Sequence, residues 1–242
     1  MKRVGLISGS RIDHRGNWFP SLQRGGYKQD DFEGDILADQ WDVDLGGGGE
    51  SVAIVAGQNG LVALTTVAGD NFHASMAREL NLSSALSAGI EAMLKLDDIT
   101  NCTIEMGLVQ AKSMAQGRAF DDYELAATLP TPVATDAAVI GWDPTDSPLH
   151  PHLTGVSVDS GGVAAAVDLA VDLLNLTFVI VKVQLDALGT ARYYVNNNLL
   201  GTQLLAIEPA TPLTPWLAIS NKAAAIARVH TVDYASWWQR RV

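Results

Sequence analysis

Phe178-Val179-Ile180-Val181-Lys182-Val183-Gln184-Leu185, Asp186-Ala187-Leu188-Gly189, Thr190-Ala191-Arg192-Tyr193-Tyr194-Val195, Asn196-Asn197-Asn198 and Leu199-Leu200-Gly201-Thr202-Gln203-Leu204 follow one another without a break. In the first run Val179, Val181, Val183 and Leu185 alternate with Lys182 and Gln184. Successive strand side chains point to opposite faces, so this is the pattern of a half-buried strand. Asp-x-x-Gly and the Asn triplet are hairpin connections, because Gly and Asn tolerate the positive φ of tight turns. Residues 178–185, 190–195 and 199–204 are therefore expected to form a three-stranded meander.

The same period recurs on both sides of the meander. Ile90, Ala92, Leu94 and Leu96 alternate with Glu91, Lys95 and Asp97, and Ile104, Met106 and Leu108 with Thr103, Glu105 and Gly107. Ile226, Arg228, His230 and Val232 alternate less cleanly. Two segments read both ways. Residues 70–89 fit a helix through Met76, Leu80 and Leu86, and residues 163–176 have high helix propensity. In the second, Val167, Leu169, Val171 and Leu173 alternate with Asp168, Ala170 and Asp172, and a strand is expected. No repeat of ~20–50 residues occurs. Gly46 to Gly49 and the prolines at 130–151 and 209–215 mark loops. Many short strands between Gly, Pro and Asn clusters predict an all-β sandwich.

The chain has 242 residues, 48% hydrophobic and 18% charged, enough to bury a sizeable core in one domain. No apolar run approaches the ~20 residues of a membrane helix. Met1-Lys2-Arg3 is followed by an apolar stretch too short for a signal peptide. Cys102 is alone, which excludes an internal disulfide and a cysteine metal cage. The net charge of −11 is uneven. Residues 1–28 carry Lys2, Arg3, Arg11, Arg15, Arg24 and Lys28 against Asp13, a balance of +5, and the remainder carries −16. The acidic body argues against nucleic acid. The basic segment, with Trp18, Phe19 and Tyr27 among glycines, reads as an extended arm (1–28) that docks on an acidic surface, ahead of a sandwich domain at 29–242.

Several stretches resemble concanavalin A-like jelly rolls of the laminin-G or pentraxin kind: Asp31-Phe32-Glu33-Gly34 with Trp41, Leu94-Lys95-Leu96-Asp97, Val181 to Asp186 with Ala191 to Asn196, Leu213-Thr214-Pro215-Trp216-Leu217, and Val232-Asp233-Tyr234. The resemblance spans residues 31–242. With Trp237 and Arg240 after Val-Asp-Tyr, the version is most similar to structural proteins of tailed bacteriophages. That resemblance implies an all-β jelly-roll sandwich of two antiparallel sheets. It also implies a non-enzymatic decoration, or cement, protein made in the host cytoplasm and bound to the capsid exterior. The implied partners are the major capsid protein and further copies of itself, a trimer by analogy with local three-fold positions.

Enzyme chemistry finds little footing. A glycosidase on this fold needs two carboxylates on one strand face, and its Glu-x-Asp-x-x-Glu pattern is met here by Glu33-Gly34-Asp35-Ile36-Leu37-Ala38, which lacks the last acid. His150-Pro151-His152, near Asp143 and Asp146, lacks a third local His or Cys for zinc. Asp30, Asp31, Asp35, Asp39, Asp42 and Asp44 lack calcium-loop spacing and read as an acidic edge. His73 and His230 fall in apparent strands, as edge or core-rim residues. Neither Ser8-Gly9-Ser10 nor Ser160-Gly161-Gly162 makes a phosphate loop or an esterase elbow. No metal or cofactor is expected. Candidate partner-binding residues are Arg11, Arg15, Arg24 and Lys28 for an acidic capsid surface, Trp18 and Phe19 as apolar anchors, and Trp238. Trp237 and Trp238 must face opposite sides of a strand, which makes Trp238 a contact for the arm or a partner subunit. The alternative function is a carbohydrate-binding module with a host or environmental glycan as partner, its exposed Trp and Asp side chains meeting the sugar.

Overall fold

Alternating side chains and turn residues give way to pairing in the computed structural model, which describes residues 10–12, 18–20, 25–33, 37, 41–55, 60–79, 82–112, 114, 117–121, 130–143, 152–222 and 226–240. Every strand pair in it is antiparallel. β1 (Ser10–Ile12) and β2 (Trp18–Pro20) pair with each other. The first of two large sheets runs, in spatial order, β16 (Asn198–Gln203), β15 (Ala191–Val195), β14 (Val179–Leu185), β9 (Ala88–Leu96), β18 (Val229–Arg240), β6 (Val62–Thr65) and β5 (Ser51–Ile54), with β3 (Gly25–Asp30) also beside β18. The second runs β13 (Ala165–Asp172), β12 (His152–Val158), β11 (Ala137–Trp142), β10 (Cys102–Val109), β17 (Pro212–Asn221), β7 (His73–Ala77) and β4 (Asp42–Leu45), with β8 (Leu82–Ser83) also on β17. The two sheets form a jelly-roll sandwich.

The expected meander is present as β14, β15 and β16. Asp186 closes its first turn by accepting the Leu188 and Thr190 amides at 3.0 and 3.1 Å and the Arg192 guanidinium at 2.9 Å. Gly189 has φ +75°, and a Cβ there would sit 1.9 Å from the Ile207 carbonyl, so no other residue fits. Asn196 and Asn197 take positive φ at the second turn. β13 is a strand, as its alternation predicts, with a register shift against β12. The helix considered for residues 70–89 does not form among the described residues. This stretch holds β7, β8 and a single 3-10 turn at Ser84–Leu86, because Ala74 to Ala77 pair with Trp216 to Ile219 of β17 and bury Ala74 and Met76 in the core. Tertiary pairing overrides propensity here.

The main core lies between the sheets and includes Ile90, Leu94, Met106, Ile140, Val183, Tyr193 and Leu217. Arg78 is buried within it. Its guanidinium lies 4.5 Å from the Trp237 ring centroid and 5.1 Å from that of Trp41. A second apolar cluster lies on the far side of the second sheet. There Met114, Ala119, Phe120 and Ala134 pack over Val109, Val139, Val156 and Trp216.

Candidate functional site

The two sheets present very different outer faces. β9, β14 and β15 alternate between buried and half-buried residues. β10 and β11 are buried at every position, and β17 at every position after Pro212. The covering segment explains this: described residues between 110 and 136 lie over the second sheet. Glu105 fastens that cover. It points to the outer face of β10, is almost fully buried, and accepts the amides of Ala119 at 2.6 Å and Phe120 at 3.0 Å and the Trp216 indole N–H at 3.2 Å. Asp143, next to it on this face, is also buried and is held by Lys222 and by the Thr103 hydroxyl at 3.0 Å.

On the first sheet the registers place Tyr194, Lys182, Glu91, Ser236 and Gln29 in one row across five strands. At ~4.8 Å per strand the row spans roughly 19 Å. A neighbouring row holds Arg192, Gln184, Gly89, Trp238 and Tyr27. Lys182 Nζ lies 3.3 Å from Glu91 Oε2 and 4.6 Å from the Tyr194 ring centroid. Tyr234 donates its phenol to Glu91 Oε1 at 3.0 Å, and Tyr27 to Gln29 Oε1 at 2.8 Å. Burial, together with the charge and hydrogen bond of Glu91, pushes the Tyr234 phenol well above the usual tyrosine range. Trp238 lies over Gly89, where a Cβ would fall 2.3 Å from its ring. The face thus combines half-buried aromatic rings with a central Lys182–Glu91 pair and with Gln184 and Gln29, which accept from Tyr194 and Tyr27. Such a surface stacks on apolar ring faces and hydrogen-bonds hydroxyls.

The residues singled out in the sequence divide among several places. Arg11 is opposite Phe19, and Trp18 opposite Ile12, in the β1–β2 pair. Arg15 and Arg24 lie outside the described residues. β3 runs through residue 28, the boundary expected between arm and sandwich. Lys28 there is exposed and opposite Trp237 in the register, and Tyr27 is opposite Trp238. Trp237 is buried and Trp238 half-buried on the other side, the opposition that adjacent strand residues require. Of the other candidates, Asp35, Asp39, Asp146 and His150 lie outside the described residues. Glu33 is exposed, and Asp30 accepts the Phe32 amide at 2.9 Å and the Trp41 indole at 2.7 Å. His152 is at the start of β12, 3.0 Å from Asp168 and 3.4 Å from Asp172. Among the described residues no group of three His, Cys, Asp or Glu is placed to hold a metal ion. His230 is not at a rim but fully buried, and His73 is buried too.

Sequence reasoning misses Glu91, Lys182, Gln184, Tyr194, Tyr234 and Gln29 as site residues and takes Tyr27 as an aromatic of the arm. The alternation puts Lys182 and Gln184 on the polar side of their strand. Their partners on β9, β18 and β3 are distant in sequence, and only the register brings them together.

No family model and no curated protein matches the chain. Solved structures do match. The carbohydrate recognition domain of Emp47p superposes with a TM-score of 0.59 at 12% identity, covering 98% of this chain and 100% of that one. The β-glucanase of Bacillus licheniformis gives 0.61 at 12% identity, with 90% and 100% covered. The apo Crh5 transglycosylase gives 0.58 at 12% identity, with 89% and 85% covered. These likenesses show the fold, a concanavalin A-like jelly roll. Carbohydrate recognition domains and glycosidic enzymes share that fold.

Proposed function

We propose that the chain is a non-catalytic carbohydrate-binding protein and that the outer face of the first sheet is its glycan platform. The row from Tyr194 through Lys182 and Glu91 to Gln29 carries this reading. It offers aromatic and hydrogen-bonding groups along a track long enough for several sugar units, on a fold that recurs in carbohydrate recognition domains. The covered second sheet speaks for binding over hydrolysis. Retaining hydrolysis needs two carboxylates ~5–5.5 Å apart with access to substrate. Glu105 and Asp143 are each buried and already paired. Among the described central strands, none carries two carboxylates on one face. The test is a glycan array followed by calorimetry on the best binder. Tyr194→Ala and Trp238→Ala should each weaken binding by about tenfold or more, with unchanged circular dichroism. Failure of the native chain to bind any glycan on a broad array overturns the proposal, and so does turnover of a bound oligosaccharide.

The segregated charge favours a second reading, a virion decoration protein on the capsid exterior. The +5 of residues 1–28 suits an acidic shell, and Lys28 is exposed beside the two tryptophans of β18. Its partner is then the major capsid protein. Removal of residues 1–24, which stops short of β3, should abolish particle association in a co-sedimentation assay and leave the sandwich folded. Retained association sinks this reading.

A further inference from the structure

The outermost strands of the sandwich are protected, with one exception. β4 carries Asp42 and Asp44, β13 carries Asp168 and Asp172, and β3 carries Lys28 and Asp30. β5 is four residues long and follows Glu50. Charge and shortness discourage edge-to-edge pairing. β16 has neither device. It is six residues long, and no Lys, Arg, Asp or Glu occurs from Tyr193 to Ile207, in a chain that is 18% charged. Among the described residues its one strand partner is β15, while Val167 and Leu169 of β13 pack against Gly201, so the backbone groups on its other side form an open edge. Leu199 and Leu200 on the strand are 50% and 38% exposed. Leu204 and Leu205 in the following turn are 79% and 76% exposed, and Leu188 in the adjoining hairpin is 71% exposed. The Ala206 amide donates to the Gly189 carbonyl at 2.9 Å and holds that hairpin beside the turn.

We propose that β16 pairs antiparallel with β16 of a second copy, continuing the first sheet across a two-fold axis and covering these leucines. A second copy is the occupant this strip suits. The chain carries −11, and two copies repel wherever acidic surfaces meet. The uncharged run from Tyr193 to Ile207 is where they approach with less of that cost, Asp168 and Asp172 of the adjoining β13 being paired with His152. An antiparallel pair of identical strands is self-complementary, so the contact is isologous and closes at two copies. The trimer expected by analogy would require a different, heterologous contact. The pairing is independent of any glycan. If the outer face is a glycan platform, the same arrangement sets two Tyr194 rows on one continuous face.

Sedimentation velocity on the full chain tests it. The native protein should sediment as a dimer of 25.7 kDa chains. The Leu199→Lys, Leu200→Lys double variant should lose the dimer without a change in far-ultraviolet circular dichroism, because both side chains are exposed. Ala53→Lys, on the opposite edge strand β5, should leave the dimer intact. A native protein that stays monomeric up to about 100 µM overturns the proposal. A dimer that survives the double lysine variant also overturns it, since the contact then lies elsewhere. Neither measurement requires a sugar, so this inference and the glycan proposal fail separately.

Discussion

Glu105→Ala is expected to lower the unfolding free energy by about 3–5 kcal/mol, because three buried N–H donors are left unsatisfied at about 1–3 kcal/mol each, partly offset by the relieved cost of burying the carboxyl group. Three N–H groups lose their acceptor at once: the amides of Ala119 and Phe120 and the Trp216 indole. Each is buried, and water does not readily replace the carboxylate. The cavity left by the side chain adds to the loss. Urea denaturation followed by tryptophan fluorescence reads the stability. Hydrogen exchange shows where it goes. Exchange at Ala119 and Phe120 should accelerate well beyond that at β9 and β14, because the cover over the second sheet loses its fastening while the core between the sheets keeps its packing. A loss under about 1 kcal/mol, the value for one ordinary hydrogen bond, would mean that packing of Phe120 and Met114 alone holds the cover.

The contrast between the two sheets also explains what could be read from the sequence. The first sheet was legible because one of its faces is wet. Alternation at Val179 to Leu185 and Ile90 to Leu96 reports that face directly, and Asp186, Gly189 and the Asn triplet report the turns. In the second sheet β11, Ala137-Ala138-Val139-Ile140-Gly141-Trp142, shows no clean alternation. It is buried on both sides, and a strand covered twice needs no polar half; β10, covered twice as well, keeps Glu105 because that side chain bonds the cover. The helical alternative for residues 70–89 arose for the same reason, since every residue of β7 is buried. The candidate platform was only partly visible. Trp238 stood out because two adjacent tryptophans cannot share a face. Glu91 with Lys182, and Tyr234 with Glu91, join strands about 90 and 140 residues apart. Local pattern carries no information about which strands become neighbours. Glu105 was seen as the polar member of an alternating pair. Its role depends on amides that reach it from the covering segment.

Acid should destabilise the fold through His230, starting well above the ordinary carboxylate range. His230 on β18 is in register with Leu96 and Leu64 and has no exposed surface. Burial pushes its imidazole down from 6.5 to about 4, and the Ala218 carbonyl, which favours the charged form, offsets only part of this. The unfolded chain keeps the ordinary value. As pH falls through 6.5 the unfolded state takes up a proton that the folded state refuses, so unfolding becomes easier. The contribution is complete above 6.5, is lost between 6.5 and 4, and is constant below. Over that window the loss amounts to about 3 kcal/mol, at 1.36 kcal/mol per unit of pKa. Asp98, held low chiefly by the Thr100 amide, adds its own loss only below the ordinary carboxylate value, whereas Asp136, raised by burial, acts above that value and with the opposite sign. The difference in urea midpoints between the native chain and a His230 variant, from pH 7.5 to 4.5, isolates the histidine, because Asp136 contributes equally to both. His230→Leu keeps the site apolar and should flatten the dependence across that window, with carboxylate behaviour below it unchanged. Equal slopes in the native and variant chains would show that His230 is not the group that makes the fold acid-sensitive.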